Sequence, residues 1–444
     1  MQGHSPDPGQ SSFLPADLRT LLDPGQPLFR LGNRIPWAHI EAFLADRYGR
    51  RGRPAKAIRL MVGLLILKHV ENLSDEVVVE RWRQNPYYQY FCGETVFRWD
   101  FPCHPTDLVL FRKRIGVEGV EEILKVSVIM QGPEASRSEA VILDTTAQEK
   151  NIQAPHDSKL YRRVAETMVR IAKREGLALS RTYAREIKDL LRNLRTRNYP
   201  RARKKARKAT KRMKIIAGRI YREFLRISSP TQRESQADLL AAANRILTQK
   251  PKDSGKCYSL HEPQCYAMAR GKDHQMWEFG TKVSVAVNGH GVVVGAMNLA
   301  RNQYDGHTVD DALEQVERIT DGHVASVVGD LGYRNATVTG ETRMVTPADL
   351  SSSDWTVRHF AKVMCRWRTK VEPVIGHLKQ DHRLGRNFLK GWFGDEVNVL
   401  LAAAAFNFRK LIRKLCALWQ MAVMWLAEWR DPRIDMPIQG LRAA

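Results

Sequence analysis

Ala140-Val141-Ile142-Leu143-Asp144 and Val324-Ala325-Ser326-Val327-Val328-Gly329-Asp330 are the two stretches on which the reading of this chain turns. Each is a short apolar run, rich in β-branched residues, and each predicts a buried strand. Each closes on an aspartate, and the two aspartates stand 186 residues apart. Aspartate is depleted in strands. One such residue alone is most often a turn-former. A third acid changes the weighing: Glu372 sits in the basic segment Arg366-Trp367-Arg368-Thr369-Lys370-Val371-Glu372. Three carboxylates gathered in one place form a hard-oxygen site of the kind Mg²⁺ prefers. A pair of such ions about 3.5–4 Å apart serves both the attacking and the leaving oxygen of a phosphodiester.

The surrounding pattern gives these residues a frame. Thr281–Val287 predicts a strand, Asn288-Gly289-His290-Gly291 a hairpin turn, and Val292–Leu299 the return strand. Thr308 opens a helix over Val309–Ile319. Arg343–Pro347 predicts a short strand, and a helical region runs from about Thr356 to Leu384. Between Asn151 and Gln275 helical patterns recur instead, over Tyr161–Ala172, Arg181–Leu194, Lys204–Leu225 and Ala237–Leu247. Tyr199-Pro200, Ser229-Pro230 and Pro251 break them. Setting that insertion aside leaves strand, two-stranded hairpin, helix, strand, short strand, helix. This is the element order of a ribonuclease H-like core. The expected fold is α/β (α+β): a mixed sheet, a helical N-terminal domain, and a helical insertion after the first core strand. The first and fourth core strands would lie side by side and bring Asp144 to Asp330.

The N-terminal part reads as helical. A helix over Ala55–Val70 would carry Pro54 in its first turn and one apolar face of Ile58, Met61, Val62, Leu65 and Ile66. Ser74 caps a second helix, Asp75–Gln84. Thr106 opens a third, and Glu118–Met130 holds a fourth. The first two read either as a helix-turn-helix or as a plain helical hairpin. Arg51-Gly52-Arg53-Pro54 reads either as a minor-groove arm or as an ordinary helix start. The expected boundaries are a mobile terminus at 1–25, a helical DNA-end-binding domain at 26–135, a catalytic core at 136–150 and 276–412, the insertion at 151–275, and a helical tail at 413–444.

Charge points to the partner. The chain has 71 Lys and Arg against 48 Asp and Glu, a formal +23. A protein this basic is matched to a polyanion. Residues 181–222 hold 17 of the basic residues and only Glu186 and Asp189 as acids, so +15 of the total lies there. Arg201, Arg203, Lys204, Lys205, Arg207, Lys208, Lys211 and Arg212 form the expected backbone-tracking surface. The N-terminus has no apolar signal core, and Arg409, Lys410, Arg413 and Lys414 interrupt the apolar stretch Leu400–Trp429. A cytoplasmic, nucleoid-associated protein is expected. The six cysteines are scattered, and Cys257, His261 and Cys265 lack a fourth ligand, so zinc is not expected.

Arg368, Glu372 and Lys379 are spaced four and seven residues apart, offsets that stack on one helix face. The plain alternative is a solvated Arg368–Glu372 ion pair. Pro373 disfavours helical geometry at Glu372, which puts the glutamate at a kink or on a first turn. These residues resemble a family. The third-acid signature Tyr-x2-Arg-x3-Glu-x6-Lys of bacterial DDE transposases is matched by Cys365, Arg368, Glu372 and Lys379, with cysteine in place of tyrosine. Asp330-Leu331-Gly332-Tyr333 is similar to the second-acid motif. Gly52-Arg53-Pro54 and Leu108–Gly116 resemble the N-terminal domain of the insertion-sequence 5 family. The resemblance covers roughly 50–150 and 275–410. It implies that Asp144, Asp330 and Glu372 bind two Mg²⁺ or Mn²⁺ ions. It implies that Arg368 and Lys379 hold DNA phosphates and that Tyr333 helps order the site; Arg51 and Arg53 are expected to touch DNA if their stretch is the minor-groove arm. It also implies nicking at the element's ends, transfer of the 3′-hydroxyl into target DNA, and a dimer or higher assembly on double-stranded terminal repeats. Two alternatives keep the fold: a catalytically silent DNA-binding derivative, and a nuclease without strand transfer. An RNA-binding or membrane-surface protein would leave the three acids unexplained.

Overall fold

The computed structural model describes residues 17–430 apart from 50, 52–53, 137–138, 197 and 273–274. The sheet has seven strands: β1 Ala140–Lys150, β2 Tyr266–Lys272, β3 Gln275–Asn288, β4 Val293–Leu299, β5 Ser326–Val328, β6 Arg343–Val345 and β7 Arg386–Asn387. β3 runs antiparallel to β1 and β4, while β5 runs parallel to both β1 and β6. The fold is thus mixed α/β with a helical N-terminal region, and the first core strand lies beside the strand before Asp330, as expected.

Strand register aligns the two aspartates. Ala140 pairs with Ser326, Val141 with Val327 and Ile142 with Val328, each with the residue 186 further on. Asp144 and Asp330 have that same separation. Carried two residues past the ladder, the pairing sets them level. Asp144 does not end its strand, however. β1 continues to Lys150, because residues 145–149 go on pairing with β3 after β5 has stopped.

The insertion's helices are Asp157–Arg174, Ala184–Arg195, Arg203–Ile227, Pro230–Glu234 and Ala237–Thr248. Met168, Met213, Ile216, Ile220, Phe224 and Ile246 form a core of their own. The helical stretch does not extend to 275. Tyr266–Lys272 is a strand, and β3 starts at Gln275 rather than Thr281. Gly280 permits this crossing, since a Cβ there would lie 1.9 Å from the Gln148 carbonyl oxygen on β1.

A second, larger core is shared by the N-terminal helices, the sheet and the last helix. Helix Ile58–Val70 is buried all round, not on one face. It begins at Ile58 and leaves Pro54 outside. Ile58 is the first deeply buried side chain, so burial rather than proline sets the start. His104, not Thr106, caps the next long helix, in a capping box with Asp107 and with Pro105 at its first position. That helix, Pro105–Ile129, kinks at Gly116, whose φ is +70°. Of the expected mobile terminus, residues 1–16 lie outside the described residues, and Leu18–Leu21 is a short helix with Leu18 buried.

The last helix, Gly391–Arg430, runs unbroken through the expected tail boundary at 412. Asn407 on it accepts from the Val293 N–H at 3.0 Å and donates to the Val293 carbonyl at 2.8 Å, closing the edge of β4. Buried Lys150, at the end of β1, pairs with Asp395 at 2.7 Å and Glu262 at 3.1 Å. It thereby ties the strand to the insertion's return and to the last helix.

Candidate active site

Two acids meet at the sheet. Asp144 takes the Thr145 N–H at 2.8 Å. Asp330 follows β5 and caps the turn Leu331–Tyr333, accepting the Gly332 N–H at 2.7 Å. A Cβ at position 332 would stand 2.7 Å from Asp330 Oδ1, so any larger residue there would push the Asp330 carboxylate aside. Arg368 reaches to 4.0 Å from Asp330 Oδ2, and its buried Nε has no hydrogen-bond partner among the described residues.

Tyr333 lies beneath these carboxylates. Its side chain is 1% exposed, and its hydroxyl has no hydrogen-bond partner among the described residues. Burial pushes its hydroxyl pKa well up, and the charges of Asp305, Asp144 and Asp330 push it further the same way. Tyr333 is therefore not a DNA-surface residue. Its ring fills the space over Gly329, where a Cβ would come within 2.7 Å of it.

Asp305 is the residue that sequence reasoning missed. It opens the turn Asp305–Thr308 after β4 and pairs with Lys282 of β3. In the sequence Tyr304-Asp305-Gly306-His307 it looks like any turn aspartate. No local signal marks it, since its neighbours in space come from β3 and from the loop after β5.

Glu372 comes from a separate helix that packs against β1. The expected single helix over 356–384 is two helices, Trp355–Arg368 and Val371–Asp381. Pro373 cannot donate within a continuing helix, so the chain restarts and Glu372 falls on the new first turn. Arg368 ends the first helix, while Glu372 and Lys379 belong to the second, so the three do not share one continuous helix face. Glu372 is exposed. Among the described residues no three His, Cys, Asp or Glu side chains stand where they could hold a metal ion. The aspartate half of the set nevertheless fits a divalent ion. It offers carboxylate oxygens level across two adjacent strands, beside a buried hydroxyl without a partner.

Of the basic residues, Arg203, Lys204, Lys205, Arg207, Lys208 and Lys211 lie exposed along helix Arg203–Ile227, and Arg201 lies exposed in the turn before it. Ala206, Ala209 and Met213 are buried on its other face. Arg212 pairs with Glu186 at 2.5 Å, so part of its charge is already answered. Arg51 is exposed, and Arg53 lies outside the described residues. A basic cleft was not foreseen. Lys370, Arg409, Lys410 and Arg413 line a cavity of about 370 Å³ beside the β3–β4 turn, and no carboxylate among the described residues lines it. Lys370 immediately precedes helix Val371–Asp381, and Arg409, Lys410 and Arg413 lie on the last helix. No helix among the described residues is long and apolar enough to cross a membrane.

Residues 16–114 match the family described as "Transposase domain (DUF772)", and residues 254–408 match "Transposase DDE domain". Asp330 and Glu372 fall inside the second match. Asp144 and the helices from Asp157 to Thr248 fall between the two. A Rhizobium meliloti protein described as "Uncharacterized protein ORF8 in nfe locus" is 42% identical over 207 residues, 46% of this chain and 99% of the relative. No solved structure matches the chain.

Proposed function

We propose, for a chain that belongs to the DDE transposases, the activity of an insertion-sequence transposase of the insertion-sequence 5 type, built on a ribonuclease H-like core. Water attacks the phosphorus at the element's end and the bond to the 3′-oxygen breaks, freeing a 3′-hydroxyl. That hydroxyl then attacks a target phosphodiester, forming one P–O bond as another breaks. The observation that carries this reading is the level placement of Asp144 and Asp330 on adjacent parallel elements over the unpartnered Tyr333 hydroxyl.

Asp144 and Asp330 would hold the divalent ions, and Glu372 would join them from the first turn of its helix. Bound there, Mg²⁺ or Mn²⁺ makes the attacking oxygen more nucleophilic and stabilises the leaving one. Arg368, beside Asp330 and with an unbonded Nε, would orient the scissile phosphate. Lys379 and the cleft of Lys370, Arg409, Lys410 and Arg413 would take neighbouring phosphates. The exposed basic face of helix Arg203–Ile227 would track the DNA backbone. The helical N-terminal region, including Arg51 and Arg53, would bind the terminal repeats, and two copies would pair the two ends.

The test is incubation of the protein with a plasmid carrying its own flanking DNA, with and without Mg²⁺ or Mn²⁺, beside Asp330→Ala. Metal-dependent cleavage at the element boundary, absent in the variant, is expected. DNA binding without cleavage under every metal condition would sink the catalytic reading in favour of a silent DNA-binding derivative.

A further inference from the structure

The β3–β4 turn is gripped by two lysines from other elements. Lys370, just before helix Val371–Asp381, donates to the Gly289 carbonyl at 3.0 Å. Lys410, on the last helix, donates to the His290 carbonyl and, at 3.0 Å, to the Gly291 carbonyl. Gly289 lies against the Trp367 ring, and the Lys370 ammonium stands 5.4 Å from that ring's centroid. Both ammoniums are thus fixed at the wall of the basic cleft beside the turn. Two other lining groups already have acids: Arg409 pairs with Glu71 at 3.0 Å, and His377 with Asp381 at 2.7 Å. Lys370, Lys410 and the exposed Arg413 form no ion pair among the described residues.

Neutral carbonyls satisfy an ammonium's hydrogen bonds but not its charge. A glutamine would hold the turn without desolvating a cation. Burial instead lowers the Lys410 ammonium, and the charges of Lys414 and Lys370 lower it further. A concave surface lined by one sign of charge concentrates the opposite sign. Two of its cations are already held in place, so an entering anion would not have to order them. We infer that this cleft is a preformed pocket for one phosphate group, gripped by Lys370, Lys410 and Arg413, and that it takes inorganic phosphate even without DNA. The inference rests on the DNA-processing reading above and deepens it, since that reading asks only that cations lie along the nucleic acid. On DNA the group is either a backbone phosphodiester or the 5′-phosphate left when the 3′-oxygen departs. Both present the same anionic oxygens to the three cations.

The experiment is calorimetric titration of inorganic phosphate into the full chain without DNA, beside chloride at matched ionic strength. Lys410→Gln keeps a donor for the turn carbonyls and loses the charge. Arg413→Gln alters a side chain that takes no part in holding the turn, and so covers the case in which Lys410→Gln does not fold. Lys173→Gln removes one exposed charge from the insertion as a control. Saturable phosphate binding is expected in the unaltered chain and in Lys173→Gln, and binding about 10–100-fold weaker in each cleft variant. No saturable binding, or equal binding in every variant, overturns the inference. Competition then identifies the source of the phosphate. Stronger displacement by a 5′-phosphorylated oligonucleotide than by its 5′-hydroxyl twin supports a pocket for a strand end, and equal displacement one for the backbone. Displacement by neither overturns the inference. Metal-dependent DNA cleavage without phosphate binding would remove this pocket alone. Phosphate binding in a chain that cuts no DNA under any metal condition would remove the cleavage reading and keep the pocket.

Discussion

Two ionic clusters in this molecule use similar ingredients and end in opposite states. In the helical N-terminal region Asp75 receives Arg112 through two bonds, at 2.9 and 2.6 Å, and Lys68 at 2.8 Å. Both cations are almost wholly buried. Burial pushes the Asp75 carboxyl up, but Arg112 and Lys68 more than offset it and hold it well below the usual carboxylate range. Burial lowers the Lys68 ammonium to about 8 even beside its partner. At the sheet the balance is reversed. The charges of Asp144, Asp305 and Asp330 all act on the Tyr333 hydroxyl, which has no hydrogen-bond partner among the described residues, and the cations there are Lys282 and a distant Arg368. The first cluster is closed and cation-rich, which suits a structural clamp. The second is open and acid-rich, which suits a cation brought from outside. What differs is whether the fold supplies enough positive charge of its own.

The comparison can be broken at several points. Asp144→Asn should cut metal-dependent DNA cleavage at least about 10³-fold, about 4 kcal/mol of transition-state stabilisation, and leave thermal stability unchanged or raised. A cleavage assay beside a melting curve checks both, and a large fall in melting temperature would make the open site as structural as the closed one. Arg112→Ala should do the reverse. Removing one partner of a buried pair costs about 3–5 kcal/mol, read by denaturant unfolding, with Mn²⁺ affinity unchanged.

A third buried acid sharpens the contrast by pH. Burial raises Glu396, on the last helix, from 4.5 to about 7, and Asp395 and Glu121 push it the same way. A carboxyl raised on folding stabilises the fold below its unfolded pKa and loses that contribution as pH rises through about 7. Each tenfold difference in proton affinity between the folded and unfolded chain is worth about 1.4 kcal/mol. Glu396→Gln should therefore raise unfolding stability by about 3 kcal/mol at pH 8 and by little at pH 4. Equal gains at both pH values would refute the assignment. The smallest effect belongs to the insertion. Lys208→Ala should weaken DNA binding by about 1 kcal/mol and flatten the dependence of log affinity on log salt by about 0.9, one phosphate contact. Anisotropy titrations across a salt series would detect it, and an unchanged slope would remove Lys208 from the DNA-tracking face.

The match between expectation and structure was uneven for physical reasons. Alternating or continuous apolar runs impose their period on the backbone, so β1, β3, β4, β5 and the insertion's helices were legible, as was the β3–β4 turn at Asn288–Gly291. Ends were less legible. Ile58 begins its helix because it is the first buried side chain, and burial is decided by neighbours distant in sequence. β2 escaped notice because Tyr266–Lys272 is made a strand by its partner β3 and carries little pattern of its own.

Side-chain type and spacing were enough to set the alternation of strands and helices, the charge that demands a polyanion, and the two aspartates that follow apolar runs. Those are local properties of the chain. Folding in three dimensions was needed to make the 186-residue separation of Asp144 and Asp330 equal the pairing offset of β1 and β5. It was needed too for Glu372 to open a separate helix, for Tyr333 to be buried, and for the loop of Asp305 to be held to the loop after Asp330 by the Tyr304 hydroxyl and the Arg334 carbonyl. Each depends on strand register, a helix break or a loop clamp between segments far apart in the chain, and sequence spacing does not encode distance across a sheet.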